Sequence, residues 1–215
     1  AQHHPDLLSR ILAGGHRIAL HGLDHTRACD LDRRNFERWL REGRARLEDC
    51  TGTTILGFRA PEWSLRGPAE GYLAVVQEQG FRYDSSRAPL LRLGDPRWPR
   101  RRHRFDRGLE VFPPPVAGWG AWTVPLWGWG LRRLPERWLR HRFEALARSG
   151  AATPLVVHPW ELDPDQPNLP ATIPWTYRWT HATGLRGLGE RLRRLWKGFR
   201  LEPIESFLDE GKLVR

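Results

Sequence analysis

An α/β fold is predicted for this chain by three observations. Short apolar runs of strand length alternate with segments of helical period, each alternation is punctuated by Gly or Pro, and four of the apolar runs end on ionisable side chains. Repeating strand and helix units of this kind argue a mainly parallel sheet with helices outside, open or closed into a barrel. In such sheets the chemistry gathers where the strands end.

The elements follow in order. Leu7, Leu8, Ile11 and Leu12 fall at helical spacing between Pro5 and Ala13, and Gly14-Gly15 stops that helix. Arg17 to Leu20 reads as a buried strand. A second unit pairs a helix over about 32–49, with Phe36, Leu40 and Leu47 on one side, with a strand over Thr54 to Phe58. A third runs from a helix near Pro68 to Gln79, stopped by Gly80, into Phe81 to Asp84. From Pro89 to about Pro135 the rhythm breaks into long loops, with a basic run at 97–104, a short strand at Leu109 to Phe112, and an aromatic stretch through Trp119, Trp122, Trp127 and Trp129. Alternation resumes with a helix over about 135–148, a strand at Leu155 to Val157, a proline-rich loop, a helix over about 185–199, and Leu201 to Ile204.

Composition bounds the rest. With 215 residues, 40% of them apolar, one domain with a real core is the default. Lys and Arg number 35 against 25 Asp and Glu, a net +10, yet only Lys197 and Lys212 are lysines. An arginine excess beside many Ala, Gly and Pro reflects a genome rich in G and C as readily as a polyanion partner, and no nucleic-acid motif accompanies it. No nucleic-acid partner is expected. Cys29 and Cys50 have no metal-site spacing and read as two small buried or half-buried side chains. No apolar run is long enough to cross a bilayer, so no transmembrane segment is expected.

The reactive groups stand after the strands. His21 and His25 follow Arg17 to Leu20, four apart, with Gly22 allowing a tight turn between them. Arg59-Ala60-Pro61-Glu62-Trp63-Ser64 follows the second strand, Asp84-Ser85-Ser86 the third, and His158-Pro159-Trp160-Glu161 the fourth. Two imidazoles at this spacing can converge on one metal ion, or they are two surface or cap histidines; the strand-end context favours the metal. A neutral imidazole at 158 suits a general acid, handing a proton to a leaving group as activated water attacks a carbonyl. It is otherwise a satisfied strand-end histidine. Pro61 stiffens the loop behind Arg59, whose fixed guanidinium can hold a buried carboxylate. Asp84 pairs with Arg59, orients a site histidine, or is a plain turn residue. Tryptophans exposed on one rim would make a platform for sugar rings.

Taken in order, these pieces resemble the polysaccharide deacetylases of carbohydrate esterase family 4, the NodB-homology domain, over about 5–204. The resemblance implies a distorted (β/α) barrel and a metal-dependent hydrolase that removes acetyl groups from an acetylated polysaccharide, an N-acetyl amino sugar foremost. It implies a divalent metal, usually zinc, on His21 and His25, the arginine motif at Arg59-Ala60-Pro61, Asp84 lining the acetate pocket, and His158 as general acid. Pro61, Trp63 and Trp160 fall among the implied substrate contacts. Gly57-Phe58-Arg59-Ala60-Pro61, Tyr83-Asp84-Ser85-Ser86 and His158 to Pro164 are similar to one bacterial subgroup, associated with exopolysaccharide and PEP-CTERM sorting loci. Leu20 before His21 and Glu62-Trp63 in the arginine motif depart from the usual pattern and are expected to be tolerated.

A larger departure precedes His21. The family opens with a strand ending in two acidic residues, a general base and a third metal ligand, whereas this chain opens at the following helix, where Asp6 falls inside the helical segment. Together with the absence of any methionine, this leads to the expectation of an N-terminally truncated domain that binds zinc poorly and turns over little. The alternative is a non-catalytic carbohydrate-binding protein on the same scaffold. Cytoplasm and periplasm, and the oligomeric state, stay open.

Overall fold

The computed structural model describes residues 4–66, 69–91, 93–106, 108–150 and 152–208, apart from the side chains of 69, 70 and 121. It is a mixed α/β structure in which the chain forms two compact units, Ala1–Pro113 with Glu202–Arg215, and Pro114–Leu201.

In the first unit, helix α1 (Pro5–Ala13) buries none of its residues. Helix α2 (Arg33–Thr51) begins where the Asp32 carboxylate accepts the Asn35 N–H at 2.8 Å and ends at left-handed Gly52, a capped start and a glycine stop. Its inner face buries Phe36, Trp39, Leu40 and Gly43. Strand β1 (Gly57–Phe58) is followed by α3 (Ala69–Glu78); the predicted start of that helix at Pro68 lies outside the described residues. Then come β2 (Tyr83–Asp84), β3 (His103–Phe105) and β4 (Leu109–Val111), in the sheet order β1-β2-β4-β3. The first two pairings are parallel and β3 runs antiparallel at the edge. Leu20 adds a single parallel bridge to Phe58.

The core of this unit gathers Leu20, Phe36, Phe58, Leu73, Val76 and Leu109. A side chain as completely buried as Phe36 contributes on the order of 1.5–3 kcal/mol. Gly57 is required for close packing: a Cβ there would lie 1.9 Å from the Tyr83 ring.

The second unit opens with an antiparallel pair, β5 (Val116–Ala117) and β6 (Val124–Pro125), then α4 (Trp129–Arg133), α5 (Glu136–Arg148), α6 (Trp175–Ala182) and α7 (Leu188–Trp196). Helix α7 presents Leu188, Leu192 and Leu195, one helical face, to Leu131, Leu139 and Phe143. Arg194 clamps α7 to α5 through two hydrogen bonds to Glu136, at 3.0 and 2.9 Å.

Several expected strands are shorter than the apolar runs that suggested them. Arg17 to Leu20 reduces to the bridge at Leu20, Thr54 to Phe58 to its last two residues, and Phe81 to Asp84 likewise. Leu155 to Val157 and Leu201 to Ile204 form no strand. Burial made these runs apolar, but a strand also needs a backbone partner, which local pattern does not encode. The free Cys29 is half-buried and Cys50 exposed, so the latter departs from the burial expected of it.

Candidate functional site

The parallel pairing of the first unit aligns three of the four predicted motifs. Leu20 N–H donates to the Gly57 carbonyl and Arg59 N–H to the Leu20 carbonyl, both at 2.9 Å. Ser85 N–H donates to the Phe58 carbonyl at 2.9 Å and Phe112 N–H to the Asp84 carbonyl at 2.8 Å. His21, Arg59 and Ser85 therefore leave adjacent strand ends on one edge of the sheet.

The two histidines are neighbours, their ring centroids 5.3 Å apart and their planes 79° to one another. Gly22 makes the turn between them at φ 93, and a side chain there would strike the Trp39 ring at 2.4 Å. The Asp24 carboxylate pins the loop, accepting Trp39 Nε1–H at 2.8 Å and Thr26 N–H at 3.1 Å. Those bonds, the Trp39 one foremost, hold Asp24 below the usual carboxylate range. His21 Nδ1 lies 2.8 Å from the Arg59 carbonyl oxygen; because a carbonyl only accepts, Nδ1 carries the proton and Nε2 is the unprotonated nitrogen of the neutral ring. The two imidazoles stand side by side as the HxxxH spacing requires. Among the described residues no group of three or more His, Cys, Asp or Glu that could hold a metal is found.

Arg59 and Asp84 do not bond to each other directly. Arg59 donates to the Ser85 carbonyl at 3.2 Å and to Ser85 Oγ at 2.9 Å, and its guanidinium lies 5.0 Å from the centre of the Trp63 ring. Asp84 is completely buried and accepts Ser86 N–H at 2.9 Å and Ser86 Oγ–H at 2.5 Å. The seryl hydroxyls relay between strands: Ser86 Oγ also accepts Ala60 N–H at 2.8 Å, and Ser85 Oγ–H donates to the Phe112 carbonyl at 2.7 Å. Burial pushes the Asp84 carboxyl up to about 6, against the Ser86 hydrogen bonds and the charges of Arg87 and Arg59. Burial likewise lowers the Arg59 guanidinium from its usual value. Pro61 and Trp63 are buried, Trp63 at 8% exposure, so its ring backs Arg59 and is not an open platform.

Backbone strain concentrates beside these residues. Four described residues other than glycine have left-handed backbones, and three are His25 (φ 63), Glu62 (φ 54) and Trp63 (φ 55). Such conformations persist where the surroundings over-determine them, and they cluster at functional sites.

His158 and Trp160 belong to the second unit. His158 precedes the 3-10 turn Pro159–Leu162, and Glu161 closes on it twice, accepting the His158 N–H at 2.9 Å and facing Nδ1 at 3.1 Å. The carboxylate acts as an acceptor there, so the proton sits on Nδ1 and Nε2 points away from the pair. Glu161 is 1% exposed and faces Arg132 Nε at 3.0 Å, with the Arg132 side chain 4% exposed. That contact is close but not aligned as a hydrogen bond, so charge attraction carries it. Arg132 Nη1 in turn donates to the carbonyls of His181 and Thr183, at 3.0 and 2.8 Å. Burial raises the Glu161 carboxyl, but the two His158 hydrogen bonds and the Arg132 charge outweigh it and hold it below the usual range. Trp160 is sandwiched, its ring 5.7 Å from His158 and 4.2 Å from His181.

Glu161 and Arg132 are the residues that sequence reasoning missed. Glu161 carried a signal, three residues after His158, the spacing of a reciprocal cap. Arg132 carried none, because its partners lie far along the chain.

Residues 1–83 match the polysaccharide deacetylase family, and residues 85–209 match a domain of unknown function, DUF3473. No curated protein matches the chain. Among solved structures it is similar to a protein classed as a polysaccharide deacetylase from Mycobacterium smegmatis, with 21% identity, a TM-score of 0.56, and coverage of 92% of this chain and 61% of that one. It is also similar to PuuE allantoinase, at 16% identity and TM-score 0.58, covering 92% of this chain and 57% of the other. A third likeness is to a probable polysaccharide deacetylase from Pseudomonas aeruginosa PAO1, at 16% identity and TM-score 0.57, again covering 92% and 57%. The chain thus spans less than two thirds of the length of these proteins, and at such identities the likeness concerns the fold.

Proposed function

We propose that this chain, which belongs to the DUF3473 family over residues 85–209 and whose residues 1–83 match the polysaccharide deacetylase family, serves to remove acetyl groups from an acetylated polysaccharide. The observation that carries the reading is the gathering of His21, Arg59 and Asp84-Ser85 on adjacent parallel strand ends, the edge at which α/β folds do their chemistry. We assign the fold to the distorted (β/α) barrel of the NodB type, supported by the likeness to the solved structures. The substrate proposed is an N-acetyl amino sugar polymer, of the exopolysaccharide kind suggested by Gly57 to Pro61, Tyr83 to Ser86 and His158 to Pro164. One deacetylase domain is read across both units.

In this reading His21 and His25 are two ligands of a divalent ion, with zinc suited to imidazole donors; the ion would supply Lewis-acid polarisation of the acetyl carbonyl and activation of water. The Arg59 carbonyl sets the His21 tautomer for that task. Arg59, held by Ser85 and Trp63, is a fixed positive charge at the strand edge, and Asp84 with Ser86 holds the loop that carries it. His158 is the general acid. Glu161 holds Nδ1–H and stabilises the imidazolium that forms when Nε2 takes up the proton released as water adds to the acetyl carbon; Nε2–H then returns that proton to the departing sugar amine as the C–N bond breaks. Pro61, Trp63 and Trp160 shape the substrate's surroundings.

The test is acetate release. The full chain that the gene encodes, supplied with zinc, is expected to release acetate from N-acetylglucosamine oligomers, and His158→Ala to abolish the release; failure of the parent protein to release acetate and to hold a divalent ion overturns the reading. A non-catalytic sugar-binding role is favoured by the exposed Trp119, Trp122 and Trp175. It predicts oligosaccharide binding without acetate release.

A further inference from the structure

We propose that a recess in the second unit, between the segment 164–169 and α6, is a subsite for one pyranose ring of the polysaccharide, distinct from the sugar that His158 serves; this rests on the deacetylase reading. The recess has a volume of about 220 Å³ and is walled by Gln166, Asn168 and Leu169 on one side and by Arg178, His181 and Leu185 on the other. A sugar ring requires this mixture, hydrogen-bonding groups for its hydroxyls and apolar surface for its C–H faces.

The polar groups have capacity to spare. The side chains of Asn168 and Arg178 make no hydrogen bond or ion pair to other described residues. Gln166 Nε2 donates to the Trp160 carbonyl at 3.3 Å, which fixes the amide and leaves its oxygen as an acceptor. His181, lowered from its ordinary pKa by burial and then by Arg132, is a neutral imidazole, able to donate and accept.

An exposed indole stands near the recess, outside its lining. Trp175 lies on the same face of α6 as Arg178 and Ala182, at spacings that bring side chains together. It is 73% exposed and makes no ring contact among the described residues, the state of an indole open for stacking. Four prolines, at 164, 167, 170 and 174, stiffen the approach to α6, so little order has to be acquired on binding.

The recess is coupled to the histidine by stacked rings. His181 lies on Trp160 with an interplanar angle of 11°, and Trp160 on His158 with 24°. Two ring spacings separate the wall of the recess from His158, the scale of successive units along a glycan. A sugar seated against His181 would thus register the chain and select what stands beside His158.

Titration of the full chain with tetra-N-acetylchitotetraose and, separately, tetragalacturonate, followed in 1H–15N spectra, tests the assignment. The Asn168 side-chain amide, the Trp175 indole N–H and the α6 amides are expected to shift with at least one of the two, and Trp175→Ala and Arg178→Ala each to weaken that binding about tenfold. Both side chains are exposed, so spectra elsewhere stay unchanged in the variants. Absence of these shifts with both oligosaccharides, or undiminished affinity in both variants, overturns the subsite. Acetate release without the shifts overturns the subsite and leaves the deacetylase reading standing; the shifts without acetate release support the subsite and count against that reading.

Discussion

Replacing Glu161 by alanine is expected to destabilise the second unit by about 3–5 kcal/mol, the cost of leaving one member of a buried ion pair without its partner. The structure locates that cost. Arg132 is 4% exposed and remains protonated, and Glu161 is the carboxylate facing it, at 3.0 Å. The same substitution removes the acceptor of the His158 N–H at 2.9 Å. Glu161→Gln keeps that acceptor while removing the charge, so its cost is smaller, about 1–3 kcal/mol. A double variant, Glu161→Leu with Arg132→Met, removes both charges and is expected to recover part of the loss, the remainder being the His158 N–H left without its acceptor and the His181 and Thr183 carbonyls left without the Arg132 donor. Urea denaturation followed by tryptophan fluorescence measures all three. If Glu161→Ala costs under about 1 kcal/mol, or the double variant is less stable than Glu161→Ala, the pair is not the buried partnership inferred from its geometry.

Asp84 predicts a pH dependence. Its carboxyl, raised to about 6 in the folded state from 3.8, keeps a proton that the unfolded chain has released, so stability declines as pH rises from about 4 through about 6, by roughly 3 kcal/mol. Denaturation midpoints of Asp84→Asn across that range are expected to lose this slope; an unchanged slope refutes the assignment. Gly57→Ala drives a Cβ into the Tyr83 ring and should cost about 1–3 kcal/mol, read from the melting temperature. His21→Ala and His25→Ala are each expected to lower zinc affinity at least about tenfold by calorimetry, and equal affinity in parent and variants refutes the metal pair.

The sequence made the strand ends legible because burial and polarity change abruptly there: Leu20 to His21, Phe58 to Arg59 and Tyr83 to Asp84 each pass from an apolar residue to an ionisable one. Helices were legible for a similar reason, with α2 bounded by the Asp32 cap and the Gly52 stop. What local pattern did not reveal was partnership. Leu155 to Val157 is as apolar as β4, yet it finds no ladder. Asp84 is at the expected strand end, but its hydrogen bonds run to Ser86, because a hydroxyl two residues away reaches it at less entropic cost than a long guanidinium across the sheet. Glu161 became visible only when the turn Pro159–Leu162 folded it back onto His158. Arg132 meets it from α4, a distance in sequence that no periodicity spans.

The left-handed backbones at His25, Glu62 and Trp63 bear on how this protein would respond to laboratory evolution. A residue other than glycine gives up about 1 kcal/mol in that conformation, so a screen for heat resistance alone would drift toward glycine or asparagine at 25 and 62. At 25 that drift would remove the imidazole that stands against His21. Libraries built on this scaffold should therefore hold 25 fixed and seek their thermal gain at exposed sites on α1, where no side chain is buried and no strained backbone intervenes.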